Sequence, residues 1–331
     1  MQAVTYREYG DPLEVLKNSE IDKPTIDAKS VIIEVHAASV NPADWHIVRG
    51  DPYIARVVFG LRKPKNIVPG ADVAGTIVAI GNEITEYEVG DEVHGEIFDS
   101  GLGAFAEYVC TTEEFIQPKP VNLTFEEAAC VPLAATTALQ GLRDHGKVKE
   151  GDKVLIIGAS GGVGTFAIQL AKEFGAEVTG VCSTKNLELV RSLGADYVID
   201  YTEEDFTENT DQYDVALQLG GMLPVKDYLK VLKPKGTLIL AGGDSNGHII
   251  GPVGRISKAM ILAPFVSQNI KNYTAKHKNE DLKFLTELIE QGKIKPVVTK
   301  TYGLEETPQA ISDVERGHTQ GKVVIQIRST G

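Results

Sequence analysis

KVLIIGASGGVG, Lys153 to Gly164, decides how this chain is read. Lys153 to Ile157 is an apolar run of strand length, and Ala167, Leu170, Ala171 and Phe174 recur at helical spacing before Gly175 ends the stripe. The glycines therefore lie where a buried strand turns into an amphipathic helix. Glycine lets backbone approach a pyrophosphate closely, and the helix start offers unpaired N–H groups and positive dipole to its charge. Counted as a dinucleotide fingerprint, Ala159 takes the first glycine position, Gly161 the second and Gly164 the third, so Ala159, Ser160, Gly161, Gly162, Val163 and Gly164 are the expected phosphate-binding turn.

Downstream the same unit repeats. Glu177 to Val181 reads as a strand, followed by a helix through Leu189, Val190 and Leu193 that stops at Gly194. Tyr197 to Tyr201 and Val215 to Leu219 follow as strands, then a helix through Tyr228, Leu229 and Leu232, then strand Thr237 to Ala241. Such repetition predicts an α/β fold, a doubly wound parallel Rossmann sheet with helices on both faces. Upstream, short β-branched runs (Val31 to Ala37, Ala74 to Ile80, Glu92 to Phe98, Ala106 to Thr111) broken by Gly and Pro predict a compact β domain. The texture changes after Asn122, where Thr124 is placed to cap a helix with Glu127 at its third position. A helix from Glu280 to Gln291 and strands Val297 to Tyr302 and Val323 to Ile327 resemble the first third, so the C-terminus is expected to rejoin it. The expected domains are 1–122 with 276–331, and 123–275 for the dinucleotide-binding part.

Composition narrows the function classes. The chain has 331 residues, 42% of them hydrophobic, and a net charge of −13, which argues against nucleic acid as a partner because phosphate backbones are bound by clustered Lys and Arg. Cys110, Cys130 and Cys182 form neither a CxxC pair nor a disulfide framework, which suits a reducing compartment. The start shows no basic-then-apolar leader, and the uncharged stretch Ala128 to Leu142 is too short to span a bilayer. A cytoplasmic protein with no membrane partner is expected.

The end of the second strand bears on the cofactor. NAD sites usually place Asp or Glu there to hold the ribose hydroxyls, about 20 residues past the turn. This chain reads Val181-Cys182-Ser183-Thr184-Lys185-Asn186, two hydroxyls and a cation with no carboxylate, so Ser183 and Lys185 point to the 2′-phosphate of NADPH. The alternative is that Ser183 only caps the next helix and Lys185 is solvated.

Across nearly its whole length the sequence resembles the medium-chain dehydrogenase/reductase superfamily, in particular its zinc-free quinone oxidoreductase branch. The segments that carry the resemblance are VHAASVNPAD (Val35 to Asp44), VPGADVAGTIV (Val68 to Val78), VGDEVHG (Val89 to Gly95), GAFAEYV (Gly103 to Val109), AATTALQGL (Ala134 to Leu142), the glycine turn, and GKVVI (Gly321 to Ile325). The resemblance implies a GroES-like domain completed by the C-terminus, a cofactor cleft against the Rossmann domain, and homodimers. For the cofactor it adds Thr136, Tyr201 and Lys322; the end of the fifth strand, Ala241, Gly242 and Gly243, is expected near the nicotinamide because ligands bind beyond the carboxyl ends of parallel strands. Tyr201 could instead close a strand and Lys322 be solvated.

Where zinc-dependent relatives carry a cysteine and a histidine-glutamate pair, this chain has Asn41, Ala71 and Asp72, and the four-cysteine lobe is missing. No metal is expected; a chance site from His36, His46 and His94 is the alternative. Without a Lewis acid to stabilise an alkoxide, conjugated acceptors are favoured, because hydride addition to an enone or quinone gives a delocalised enolate or phenolate. The expected activity is zinc-independent, NADPH-dependent hydride transfer to quinones or other conjugated carbonyls. An enoyl or alkenal reductase and a non-catalytic NADPH-binding protein are the alternatives. Asn41 is a candidate oxyanion donor or nicotinamide contact, or else a turn residue before Pro42; Asp44 is a candidate orienting group or local turn former, and Tyr53 a candidate cover for the substrate or a surface aromatic.

Overall fold

The computed structural model describes residues 1–208, 212–221, 223–241, 259, 263–317 and 319–328. Its contacts divide the chain into two units. Unit 1 is Met1–Ala134, His277–Gly292 and Pro296–Gly331; unit 2 is Ala135–Lys276 and Lys293–Lys295.

Unit 1 is built on a largely antiparallel sheet. In chain order its strands are β3 (Ser30–Val40), β4 (Asp72–Ile80), β5 (Glu92–Glu96), β6 (Tyr108–Thr112), β7 (Ile116–Pro118), β14 (Val298–Gly303) and β15 (Lys322–Gln326). They pair in the order β14-β15-β3-β4-β5-β7, with β6 also on β3. The C-terminal strand β15 thus lies beside β3, with Val323 opposite Val40 and Ile325 opposite Ala38. β1 (Gln2–Thr5) and β2 (Lys17–Glu20) form a separate antiparallel hairpin. Alternate β3 residues Val31, Ile33 and Val35 are fully buried with Ile77 and Val93, the period-2 burial expected of a sheet with a packed face.

Three helices in unit 1 were not legible as such: α1 (Pro12–Val15), α2 (Pro42–Arg49) and α3 (Arg56–Phe59). Pro42 stands at the first helical position of α2, where its missing N–H costs nothing, so Asn41-Pro42 starts a helix rather than an isolated turn. The boundary expected at 122/123 falls instead after Ala134. Thr124 and Glu127 do form the reciprocal cap of α4 (Phe125–Ala129), but Phe125, Ala128 and Ala129 pack with Ala37, Ala74 and Val324 on the unit 1 sheet. Burying Phe125 there stabilises by about 2 kcal/mol, which keeps α4 with the β sheet. α9 (Asn279–Glu290) and α10 (Thr307–Glu315) complete the unit.

Unit 2 holds a six-stranded sheet in the order β10-β9-β8-β11-β12-β13, with every pairing parallel. The strands are β8 (Lys153–Ile157), β9 (Glu177–Cys182), β10 (Tyr197–Asp200), β11 (Tyr213–Gln218), β12 (Leu232–Leu240) and β13 (Asn269–Asn272). The helices are α5 (Pro132–Leu139), which runs across the boundary, α6 (Gly162–Glu173), α7 (Leu187–Ser192) and α8 (Val225–Lys230). Leu232 belongs to β12, opposite Tyr213, and not to the preceding helix; Pro234 cannot donate to a continuing helix. Order 3-2-1-4-5-6 is the doubly wound Rossmann arrangement, with its switch between β8 and β11.

Candidate cofactor and active site

In unit 2 the residues at the carboxyl end of β8 turn sharply into α6. Gly158 carries the turn, at φ +88°, so the left-handed position is Gly158 and not the next residue, to which the fingerprint count assigned the first glycine. Ala159 is fully buried, and its methyl faces Gly180 of β9, where an added Cβ would come within 3.0 Å of it. Gly164 is required by packing alone, since a Cβ there would sit 2.2 Å from the Gly158 carbonyl oxygen. Gly161 is different. A Cβ at Gly161 would meet only the Gly158 oxygen at 3.5 Å, an ordinary contact, and Gly161 caps α6 with no side-chain hydrogen bond. The first amides of α6, beginning with the half-buried Gly162 and Val163, are thus left uncapped beside a position where the protein itself has no need of glycine. A phosphate fits that cradle.

A second group is tied to the turn by Asn186, a buried residue that the sequence did not single out. Its Nδ2 donates to Ser160 Oγ at 2.8 Å and to Ser183 Oγ at 3.2 Å, locking the turn to the end of β9. Ser183 does stand at the N-cap of the short helix that follows, but it makes no capping bond. Lys185 is exposed on that helix. The Tyr201 amide donates to the Cys182 carbonyl at 3.1 Å, which brings the exposed Tyr201 to the same edge. A carboxylate does lie here, one strand over: Asp200 is opposite Cys182. Hydroxyls of Thr184 and Thr202 hold its pKa low, and one of its oxygens takes both the amide and the hydroxyl of Thr202, at 3.0 and 2.7 Å. Thr136 is buried on α5, Ala241 is half-buried just past β12, and Gly242 and Gly243 lie outside the described residues.

In unit 1 Asn41, Asp44 and Lys322 converge on one buried network, and Tyr53 does not. Lys322 Nζ donates to Asn41 Oδ1 at 2.5 Å and to the Val40 carbonyl at 3.3 Å, and pairs with Asp72 Oδ2 at 3.6 Å. Because an ammonium can only donate, it fixes the Asn41 amide with oxygen toward Lys322 and nitrogen toward Asp72, 2.9 Å away. Asp72 also accepts from Ser39 Oγ at 2.8 Å and, through its other oxygen, from the Leu133 amide at 3.0 Å. Asn41 and Lys322 are each 3% exposed, Asp72 and Asp44 not at all.

This corrects two expectations. Both ends of the Asn41 amide are engaged within unit 1, so it is not a free oxyanion donor; and the Lys322 ammonium is neither solvated nor turned outward to a ligand. Asp72, which the sequence offered only as a lost zinc position, is the hub, and a buried acid two strands from a buried lysine is a pairing that no local pattern displays. Asp44 accepts from the Asn41 amide at 2.7 Å and closes the first turn of α2, the local role. Its other oxygen has no hydrogen bond of normal geometry, although the Gly70 amide is near enough to favour the charged form slightly. Burial first, then the charge of Asp72, pushes its pKa to about 7 against the opposing Asn41 amide and Lys322. Glu96 is raised to about 7 in the same way, by burial and then Asp72, and burial lowers His94 to about 4. Tyr53 is exposed, with the Arg56 guanidinium 4.5 Å from its ring centre.

His36, His46 and His94 do not meet. His36 stacks on Phe125, His46 faces the Asp51 carbonyl, and His94 lies between the Ala128 carbonyl and Thr286. Among the described residues no three His, Cys, Asp or Glu side chains gather as a metal site.

Comparison with known proteins agrees with this architecture. Residues 27–121 match the alcohol dehydrogenase GroES-like domain family, and residues 193–325 a family described as zinc-binding dehydrogenase. The chain is 35% identical to a 2-methylene-furan-3-one reductase of Solanum lycopersicum over 98% of its own length and 79% of that protein's. The chain belongs to the medium-chain dehydrogenase/reductase superfamily, in its zinc-free quinone oxidoreductase branch. An NADPH-dependent alkenal/one oxidoreductase of Arabidopsis thaliana is similar to the same degree, 35% over 98% of this chain and 79% of that one. Among solved structures, the quinone oxidoreductase from Coxiella burnetii superposes with a TM-score of 0.87 at 31% identity, covering 99% of each chain. This medium-chain reductase is therefore an oxidoreductase that uses a nicotinamide cofactor.

Proposed function

We propose that this reductase uses NADPH, without zinc, to reduce conjugated carbonyl compounds, with quinones and enones as its acceptors. The observation that carries the proposal is the clamp of Ser160, Asn186 and Ser183, which holds the glycine turn against a β9 end bearing Ser183, Thr184 and Lys185. Asp200, the acid opposite Cys182, has one carboxylate oxygen bound to the Thr202 amide and hydroxyl. The uncapped α6 amides would hold the pyrophosphate, and Ser183 and Lys185 the 2′-phosphate. Bound NADPH supplies a hydride from its nicotinamide ring. The buried Lys322, Asn41 and Asp72 keep β15, β3 and β4 in register and so act as positioning residues.

The acceptor class follows from the residues at the lost zinc positions, where Asn41, Ala71 and Asp72 cannot together replace a Lewis acid, and from relatives whose names specify a methylene-furanone, an alkenal and a quinone, each conjugated. Two relatives named for enone-type substrates stand at 35% identity, which favours testing enones beside quinones. The reading extends to a homodimer, to be checked by sedimentation velocity, and to a cytoplasmic location, which three unpaired cysteines support and cell fractionation would test.

The experiment is oxidation of NADPH and NADH at matched concentrations by an ortho-quinone and by an alkenal, with a chelator present, repeated with Lys185→Ala. Expected is chelator-insensitive turnover with NADPH preferred by at least about tenfold in kcat/KM, a difference of 1.4 kcal/mol, reduced several-fold in the variant. Preference for NADH would overturn the phosphate pocket, and loss of turnover on chelation would overturn zinc independence.

A further inference from the structure

The segment after α2 carries an apolar face turned to solvent. A short helical turn, Tyr53–Ala55, leads directly into α3. Ile54 lies in that turn and Val57 and Val58 in α3, while Leu61 follows Gly60, whose φ of +127° ends the helix. That face is outside: Ile54 is 51% exposed, Val57 67%, Val58 65% and Leu61 72%. On the other side Phe59 packs edge-on against Phe98, so the segment is anchored and its aliphatic side is the free one. Four exposed aliphatic side chains within one short segment mark a surface that something covers.

The charge of the segment says what. Between Asp51 and Asp72 there is no acidic residue, but there are Arg56, Arg62, Lys63 and Lys65, in a chain of net charge −13. Arg56 is used internally, donating to the Gly50 and Arg49 carbonyls. Arg62, Lys63 and Lys65 are exposed and make no ion pair with the described residues. Aliphatic side chains that need an apolar phase, next to three unpaired cations, match the boundary of a bilayer with anionic headgroups, where the aliphatic tip enters the acyl region and the cations sit at the phosphates. A second copy of the chain is a poorer match, because a two-fold contact through this face would set basic run against basic run.

We propose that Tyr53–Lys65 is a peripheral docking surface for a bilayer rich in anionic lipid. No helix among the described residues is long and apolar enough to cross a membrane, and none is needed for such docking. The proposal departs from the expectation of no membrane partner, which rested on the missing leader and the missing span. It does not depend on the acceptor or cofactor preference proposed above.

The test is co-sedimentation of the full chain with vesicles of phosphatidylcholine alone and with about 30% phosphatidylglycerol, at low and high salt. Val57→Glu with Leu61→Glu removes the aliphatic tip, and Arg62→Glu with Lys63→Glu and Lys65→Glu reverses the cations; all sites are exposed, and thermal melting confirms the fold of each. Expected is binding to the anionic vesicles only, weakened by salt, with partitioning reduced on the order of 100-fold by the cation reversal and by more than about tenfold by the tip change. The proposal is overturned if the wild type stays in the supernatant with both vesicles, or if either variant partitions as the wild type does. It is equally overturned if the tip change alters KM for a quinone and leaves partitioning unchanged, which would make the face a wall of the acceptor site.

Discussion

Lys322→Met separates holding the fold from holding the cofactor. The structure puts the Lys322 ammonium in hydrogen bonds to Asn41 Oδ1 and the Val40 carbonyl and in an ion pair with Asp72, all within unit 1. Methionine keeps the length and apolar stem of lysine but leaves Asp72 as a buried carboxylate without its counter-ion. Breaking one partner of such a pair costs about 3–5 kcal/mol. At about 2–4 °C per kcal/mol for domains of this size, the midpoint should fall by roughly 10 °C in differential scanning fluorimetry. Adding Asp72→Asn removes the stranded charge while keeping an acceptor for Ser39 and Leu133, so the double variant should regain more than half of that loss. NADPH titration of the single variant, followed by nicotinamide fluorescence below its melting range, should give a Kd within about threefold of wild type, under 1 kcal/mol. A midpoint shifted by less than about 2 °C together with a Kd raised about tenfold would refute the reasoning, because the ammonium would then be working on the cofactor.

The glycine turn gives a paired prediction. Gly161→Ala should melt close to wild type, since its Cβ meets an ordinary 3.5 Å contact, yet lose about tenfold or more in NADPH affinity because the methyl stands before the α6 amides; Gly164→Ala, whose Cβ would lie 2.2 Å from a carbonyl oxygen, should lose about 1–3 kcal/mol of stability as well. Asp44→Asn should change how stability varies with pH. The carboxyl rises from 3.8 to about 7 in the fold, so it favours the fold while protonated and that contribution is lost as pH climbs from about 4 through about 7. Relative to wild type the variant should therefore gain on the order of 4 kcal/mol between pH 4 and pH 8, read from melting midpoints; Glu96 leaves a residual decline of the same sign in both proteins, and a parallel pair of pH profiles would show that Asp44 is not the titrating group.

The elements that make contacts close in sequence could be read directly. The βαβ repeat from Lys153 to Leu240 and the Thr124–Glu127 cap rest on periodicity or on interactions spanning a few residues, and these appear in the chain as written. Boundaries drawn from texture were less secure. α4 reads as the opening of the second domain, but its apolar face fits the β sheet, and only packing against Ala37, Ala74 and Val324 shows that.

The candidate site divides along the same line. The cofactor turn was legible because dinucleotide binding needs a strand, glycines and a helix start within a dozen consecutive residues; even there, which glycine takes the left-handed conformation depends on how the turn leaves β8. The unit 1 candidates were not, because the state of Asn41 is set by Asp72, thirty-one residues on, and by Lys322, which β15 brings alongside β3. Residue type alone makes asparagine a free donor and lysine a solvated cation. Burial makes unsatisfied polar groups costly, so once the sheet closes each must take the other as partner. The sequence determined the family, the parallel sheet and the phosphate turn, whose physics is local; the tertiary structure decided which polar groups remain available to a ligand, since that depends on every neighbour the fold supplies.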